Sequence, residues 1–210
     1  MLGSGLVDTR KIYVLGGSHG GFLATHLISQ YPTTFLAAAV RNPVVNIAAN
    51  YLTCDIPDWC LSETGTGVRI GPVNDGATSV PSPGNEELLL QMFRASPVAH
   101  IDRVQTPLLL LLGKNDVSGP KWNVPCWSYS GSPICLLLFV VVVLVVVVSS
   151  VHHWQKRVPM GQSVQYYYGL RAKGVECKML IYDMSHALSD NVEQKANYVV
   201  NVVKWFLDHE

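Results

Sequence analysis

Ser18 stands in Gly16-Gly17-Ser18-His19-Gly20-Gly21, between the apolar run Ile12-Tyr13-Val14-Leu15 and the helically periodic segment Phe22 to Tyr31. A strand that turns sharply into a helix holds the serine at its corner in a strained backbone conformation. Glycines are needed on either side, and the hydroxyl projects above the sheet. Such a hydroxyl is a nucleophile for attack on a carbonyl. The backbone N–H of His19, at the helix N-terminus, is placed to hold the oxyanion that the attack creates.

A serine nucleophile needs a general base, and the base needs an acid that fixes its tautomer and stabilises the imidazolium. Asp116 follows the apolar run Pro107 to Leu112, and His186 follows the strand-like Cys177 to Tyr182. Ser18, Asp116 and His186 therefore have the chain order Ser, Asp, His, each beyond the carboxyl end of a strand, as the α/β-hydrolase fold requires. The other histidines lack that placement. His19 lies in the turn, His26 on a helix, His100 beside a loop and His209 at the chain end. These read as structural or solvated, with His19 near enough to touch substrate. His152-His153 have no supporting third ligand, and neighbours in an extended chain point to opposite sides, so no metal site is expected. Acyl transfer through a serine calls for no cofactor.

The elements that must carry these residues alternate. Strand Ile12 to Leu15 precedes a helix from Gly20, and Ala37 to Val40 suits a buried parallel strand. Val44 to Pro97 is rich in Gly, Pro, Asn and Ser and is expected to be irregular apart from a helix over Glu86 to Arg94. Within it Asp55-Ile56-Pro57-Asp58-Trp59-Cys60 reads as a packed aromatic turn rather than a catalytic carboxylate pair. A helix from about Gly161 to Lys173, strand Cys177 to Tyr182 and an amphipathic helix Val192 to Leu207 close the chain. The pattern predicts a parallel sheet covered by helices, with its functional loops at the carboxyl ends of the strands.

The 210 residues suit one domain with an extension, and 15 basic against 15 acidic residues give no charge imbalance to attract nucleic acid. The five cysteines are scattered, which fits a reducing compartment rather than a disulfide framework. Met1 to Gly5 has neither a basic nor an apolar region of a signal peptide, so a cytoplasmic location is expected.

Gly16-Gly17-Ser18-His19-Gly20-Gly21-Phe22, Arg41-Asn42-Pro43-Val44, Asp55 to Cys60 and Ser185-His186-Ala187-Leu188 closely resemble the catalytic domain of acylaminoacyl-peptidases, in the prolyl oligopeptidase family. The resemblance implies a serine exopeptidase that releases an N-acylated amino acid from short peptides, with Ser18, Asp116 and His186 matching the family's triad. It also implies a homo-oligomer. Family members carry a β-propeller and earlier sheet strands ahead of this region, with a loop that gives a second oxyanion donor; none is in this sequence. The expected fold is thus an incomplete α/β-hydrolase whose catalytic strand exposes an edge.

A second departure follows Asp116. The family pattern passes quickly to a basic residue and Val-Pro, as in Lys156-Arg157-Val158-Pro159, yet Val117 to Gln155 intervenes. A strand–helix–strand return takes about 30 residues, whereas Asp116 and His186 stand 70 apart. The expected organisation is residues 1–116 and 156–210 as two parts of one catalytic domain, with 117–155 a foreign insertion. Its apolar run Ile134 to Val148 falls short of the ~17 residues that span a bilayer, which argues against a membrane segment. Two other functions stay open: a truncated, mis-spliced product without catalysis, and a carboxylesterase. The insertion is hypothesised to be a translated retained intron, since Val-Ser can be encoded by a splice-donor sequence and a Leu/Phe/Val run by a T-rich tract. Transcript sequencing is then expected to find a message without the codons for Val117 to Gln155, flanked by splice signals in the gene; absence of both removes the hypothesis.

Overall fold

The computed structural model describes residues 8, 10–65, 85–114, 143–147, 158–184, 186 and 191–210. Five strands form one parallel sheet: β1 (Ile12–Gly17), β2 (Ala37–Arg41), β3 (Leu108–Gly113), β4 (Val143–Val147) and β5 (Cys177–Tyr182), in the order β4-β1-β2-β3-β5. The register aligns Gly17 with Arg41, Arg41 with Leu111 and Gly113 with Tyr182, so the carboxyl ends of β1, β2, β3 and β5 reach the same end of the sheet.

A strand covered on both faces is apolar at every position, and β3 is buried throughout. Its alternate residues serve opposite faces. Leu108, Leu110 and Leu112 pack with Val14, Val40, Ala24 and Ile28 of α1 (His19–Gln30) and Tyr166 and Leu170 of α5 (Met160–Ala172). Leu109 and Leu111 pack with Tyr13, Ala37 and Val202 and Trp205 of α6 (Val192–Leu207). Each such leucine contributes roughly 1.5–3 kcal/mol through removal from water. The strand–helix order read from the sequence is thereby realised, with β5 and α6 at the bounds anticipated for them.

The stretch between β2 and β3 departs from expectation. Besides α4 (Glu86–Arg94), two short helices appear, α2 (Ile47–Thr53) and α3 (Pro57–Glu63), the second where an aromatic turn was anticipated. Their cause is local capping rather than periodicity. The Asn46 side chain accepts from the Ala49 N–H at 3.0 Å, and Pro57 sits in the first turn of α3, where its missing N–H costs nothing. Ile47, Tyr51, Cys60, Leu61, Leu88 and Met92 then bury one another beside Phe22 of α1.

The bare edge expected beside β1 is also corrected. Within the 117–155 block, Val143–Val147 pair in parallel with β1, Tyr13 opposite Leu144 and Gly16 opposite Val147. The rest of the block lies outside the described residues. Among the described residues no helix is long and apolar enough to cross a membrane.

His26 of α1 packs edge-on against Phe22 at 4.5 Å and donates from Nε2 to the Ala95 carbonyl at 3.2 Å. Its buried Nδ1 has no hydrogen-bond partner among the described residues. Burial holds the imidazole below its ordinary pKa, the Ala95 carbonyl opposes this, and His100 adds a small downward push.

Two predictions follow from this packing. In an edge strand alternate N–H groups face the neighbour, so of Val145→Pro and Val146→Pro one is expected to lower the urea midpoint sharply and the other little. Equal, negligible effects would remove β4 from the sheet. For His26, a folded pKa below the unfolded one means that the unfolded chain takes up the proton more readily. The stability is complete above the unfolded value near 6.5 and is lost as pH falls from there through the folded value. His26→Leu is expected to flatten the decline in urea midpoint between pH 7.5 and 5.5, and an unchanged slope would contradict it.

Candidate active site

The corner after β1 is built from backbone. Ser18 has φ 57° and ψ −119°, a strained region for a side-chain-bearing residue. A Cβ at Gly16 would overlap the Gly20 carbonyl, and one at Gly21 would come within 2.8 Å of Pro43 Cβ. Glycine is therefore required where the turn folds back on itself and where α1 meets the chain leaving β2. The Ser18 N–H donates to the Arg41 carbonyl at 2.8 Å, and the Ser18 carbonyl accepts from Phe22 N–H at 3.0 Å, which starts α1. The N–H of His19 belongs to the first turn, where no intrahelical acceptor exists.

His186 arrives from the far side of the sheet, in the loop after β5. Its Nε2 lies 2.8 Å from Ser18 Oγ. Its carbonyl accepts from the Arg41 guanidinium and, at 3.2 Å, from Asn42 Nδ2. Asn42 is 4% exposed, with φ 41°. Its N–H donates to the Leu111 carbonyl at 3.1 Å, and its Oδ1 accepts from Gly113 N–H at 2.8 Å. One buried amide thus ties the ends of β2 and β3 to the backbone of His186. In the sequence Arg41-Asn42-Pro43-Val44 stands out only as a motif of the family resemblance, without a role for Asn42. The available signal was an asparagine, which tolerates left-handed backbone, between a buried strand and a proline.

Asp116 lies outside the described residues. The strand it follows, β3, pairs directly with β5, and the Lys114 N–H donates to the Tyr182 carbonyl at 2.9 Å just before the His186 loop. The His19 side chain turns toward α3. Its Nε2 lies 3.5 Å from Glu63 Oε1, and its ring meets Trp59 edge-on at 5.4 Å and Phe22 at 5.9 Å. These three rings form an aromatic wall that begins at the residue next to Ser18. His209 lies elsewhere, its Nδ1 donating to the Trp205 carbonyl at 2.7 Å.

A hydroxyl at the end of one parallel strand, within proton-transfer distance of an imidazole carried by another, is the arrangement of a serine hydrolase on the α/β-hydrolase fold. The sequence comparisons narrow that class, since the model of the prolyl oligopeptidase family matches residues 1–127. The chain belongs to the prolyl oligopeptidase family of serine peptidases. It is 35% identical over 203 residues to the acylamino-acid-releasing enzyme of Mus musculus, covering 96% of this chain and 21% of that protein. Against that of Arabidopsis thaliana it is 34% identical over 202 residues, covering 96% and 20%. The chain thus spans about a fifth of the length of these relatives. The Pyrococcus horikoshii acylaminoacyl peptidase superposes with a TM-score of 0.60 at 18% identity, over 95% of this chain and 24% of that one. A puromycin-hydrolyzing peptidase from Mycobacterium tuberculosis gives 0.56 at 22%, over 96% and 22%. Both likenesses bear on the fold.

Proposed function

We propose that this chain is catalytic-domain sequence of an acylaminoacyl-peptidase that hydrolyses N-acylated peptides and releases the N-terminal acyl-amino acid. The observation that carries the reading is the 2.8 Å contact between Ser18 Oγ, on its strained corner, and His186 Nε2. In the proposed reaction Ser18 Oγ attacks the carbonyl of the acyl-amino acid while His186 Nε2 takes the hydroxyl proton. The oxyanion forms against the His19 N–H; one donor of this kind is worth about 2.7–4 kcal/mol in the transition state. His186 returns the proton to the departing peptide amine. Water, deprotonated by the same imidazole, then cleaves the acyl-enzyme. Asp116 is assigned to hold the imidazole in its working tautomer.

The organisation into 1–116 and 156–210 around the 117–155 block, the cytoplasmic location and a homo-oligomeric state belong to the same proposal. Arg41 and Asn42 support it by fixing the His186 backbone, whose ring stands 2.8 Å from Ser18 Oγ. The alternatives, a carboxylesterase and a chain without catalysis, differ in outcome.

The test is the rate of fluorophosphonate labelling, followed by turnover of an N-acetylated peptide against a small ester. Ser18→Ala is expected to abolish labelling, and His186→Ala to slow it by orders of magnitude, as loss of either partner does in serine peptidases. Asn42→Ala, which removes one of the two donors to the His186 carbonyl, is expected to cost up to about 10²-fold through misplacement. Preference for the ester favours the esterase. Absence of labelling from folded protein rejects the peptidase assignment for this chain.

A further inference from the structure

Two cysteines that the sequence shows only as scattered residues meet in space beside the Ser18 wall. Cys54 closes α2, partly exposed, and Cys60 lies in α3, fully buried at 0% exposure. Their Sγ atoms are 4.0 Å apart. A chain of buried amides leads to the inner thiol. Gln162 of α5 accepts from the Val45 and Asn46 N–H groups at 2.9 Å each and donates to Asn50 Oδ1 at 3.2 Å, and Asn50 Nδ2 donates to Cys60 Sγ at 3.5 Å. Gln162 and Asn50 are 7% and 0% exposed. Cys60 is thereby held in place by the amide chain, with the partly exposed Cys54 against its sulfur.

We propose that Cys54 and Cys60 are a reversible oxidation site, in which a peroxide attacks at Cys54 and Cys60 resolves the product into a disulfide. The outer thiol is the reactive member on two independent grounds. It alone is reachable, and its contact with the Cys60 thiol favours its thiolate, lowering its pKa, while the same contact and burial push Cys60 up. In the first step the Cys54 thiolate attacks a peroxide oxygen. The O–O bond breaks, and a sulfenic acid forms as hydroxide leaves and is protonated to water. In the second step Cys60 Sγ attacks the sulfenic sulfur, the S–O bond breaks, and the departing hydroxide leaves as water with the Cys60 proton. Two thiols give up two electrons and two protons, and one hydrogen peroxide becomes two waters.

The bond requires the sulfurs to close from 4.0 Å to about 2.05 Å. That approach draws the end of α2 and the first turn of α3 together. Trp59, adjacent to Cys60, stands edge-on to His19 and to Phe22, the latter at 5.8 Å. Closing the bridge therefore shifts the aromatic wall next to Ser18. This consequence for catalysis rests on the serine-peptidase reading; the bridge itself does not.

The experiment treats the full chain with hydrogen peroxide, blocks remaining thiols with an alkylating reagent and maps tryptic peptides by mass. The peptide holding both Cys54 and Cys60 is expected to lose 2 Da and escape alkylation, and dithiothreitol is expected to restore both thiols. In Cys60→Ser, Cys54 should stop at the sulfenic acid and be captured by dimedone. In Cys54→Ser, Cys60 should stay reduced. Cys54 carried to the sulfinic acid with Cys60 still free, or a bridge to any other cysteine, overturns the proposal. Fluorophosphonate labelling of the reduced chain is measured first. A severalfold fall on oxidation, reversed by dithiothreitol and absent in Cys60→Ser, is expected. A formed bridge with unchanged labelling removes the coupling to Trp59, and a reduced chain that never labels removes the peptidase reading while the mass result stands.

Discussion

The left-handed backbone of Ser18 is the constraint on which the site depends. A serine does not hold φ 57° unaided, so the surroundings must over-determine it. They do so on both sides. The Arg41 carbonyl captures the Ser18 N–H, and α1 begins on the Ser18 carbonyl. The first contact survives only while β1 and β2 stay in register through Gly17 and Arg41. The close approach of Gly16 to Gly20 and of Gly21 to Pro43 leaves no other path from strand to helix. The corner is therefore a property of the sheet as much as of its own six residues.

The same logic assigns Asn42 its weight. It is the second residue with a positive φ outside glycine among the described residues, and it sits one strand over from the first. Its backbone N–H continues β2 toward β3, while its side chain holds Gly113 on one side and the His186 carbonyl on the other. The hydroxyl and the imidazole come from positions 18 and 186 and stand 2.8 Å apart, and this amide and the neighbouring guanidinium hold the backbone of the second. Both side chains of Arg41-Asn42 thus act on the backbone of His186, leaving its ring to face Ser18.

What the sequence made legible tracks the length scale of the cause. The continuous leucines of β3 and the Gly-x-Ser-x-Gly corner announce themselves within a few residues, because burial on both faces and a strained turn each dictate residue type locally. The helices α2 and α3 were missed because seven residues offer less than two full turns of periodicity, and their signals, Asn46 and Pro57, lie at the ends. The contact between Cys54 and Cys60 was invisible for a related reason: it depends on how two short helices pack, not on spacing. Asn42 stands in the sequence as one residue of a family motif, and only the fold reveals that β2, β3 and the His186 backbone converge on it. The apolar block was the hardest case, since a valine run is equally a buried strand, a membrane segment or an aggregation hazard until a partner strand is specified.

That block bears on how the sheet is finished. Ser18 follows directly on β1, and an unpaired β1 would present a row of free backbone groups next to that strained corner. Val143–Val147 supply the missing ladder, parallel to β1 and in register up to Gly16. A run of β-branched residues is well suited to that role, because a parallel edge asks for extended backbone and little else in the way of specific side-chain partners. The same sequence that departs most from the family pattern therefore lies against the strand with most need of a neighbour. Its role in the sheet is to buttress the backbone on which Ser18 is held, while Ser18 and His186 themselves lie in the sequence on either side of it.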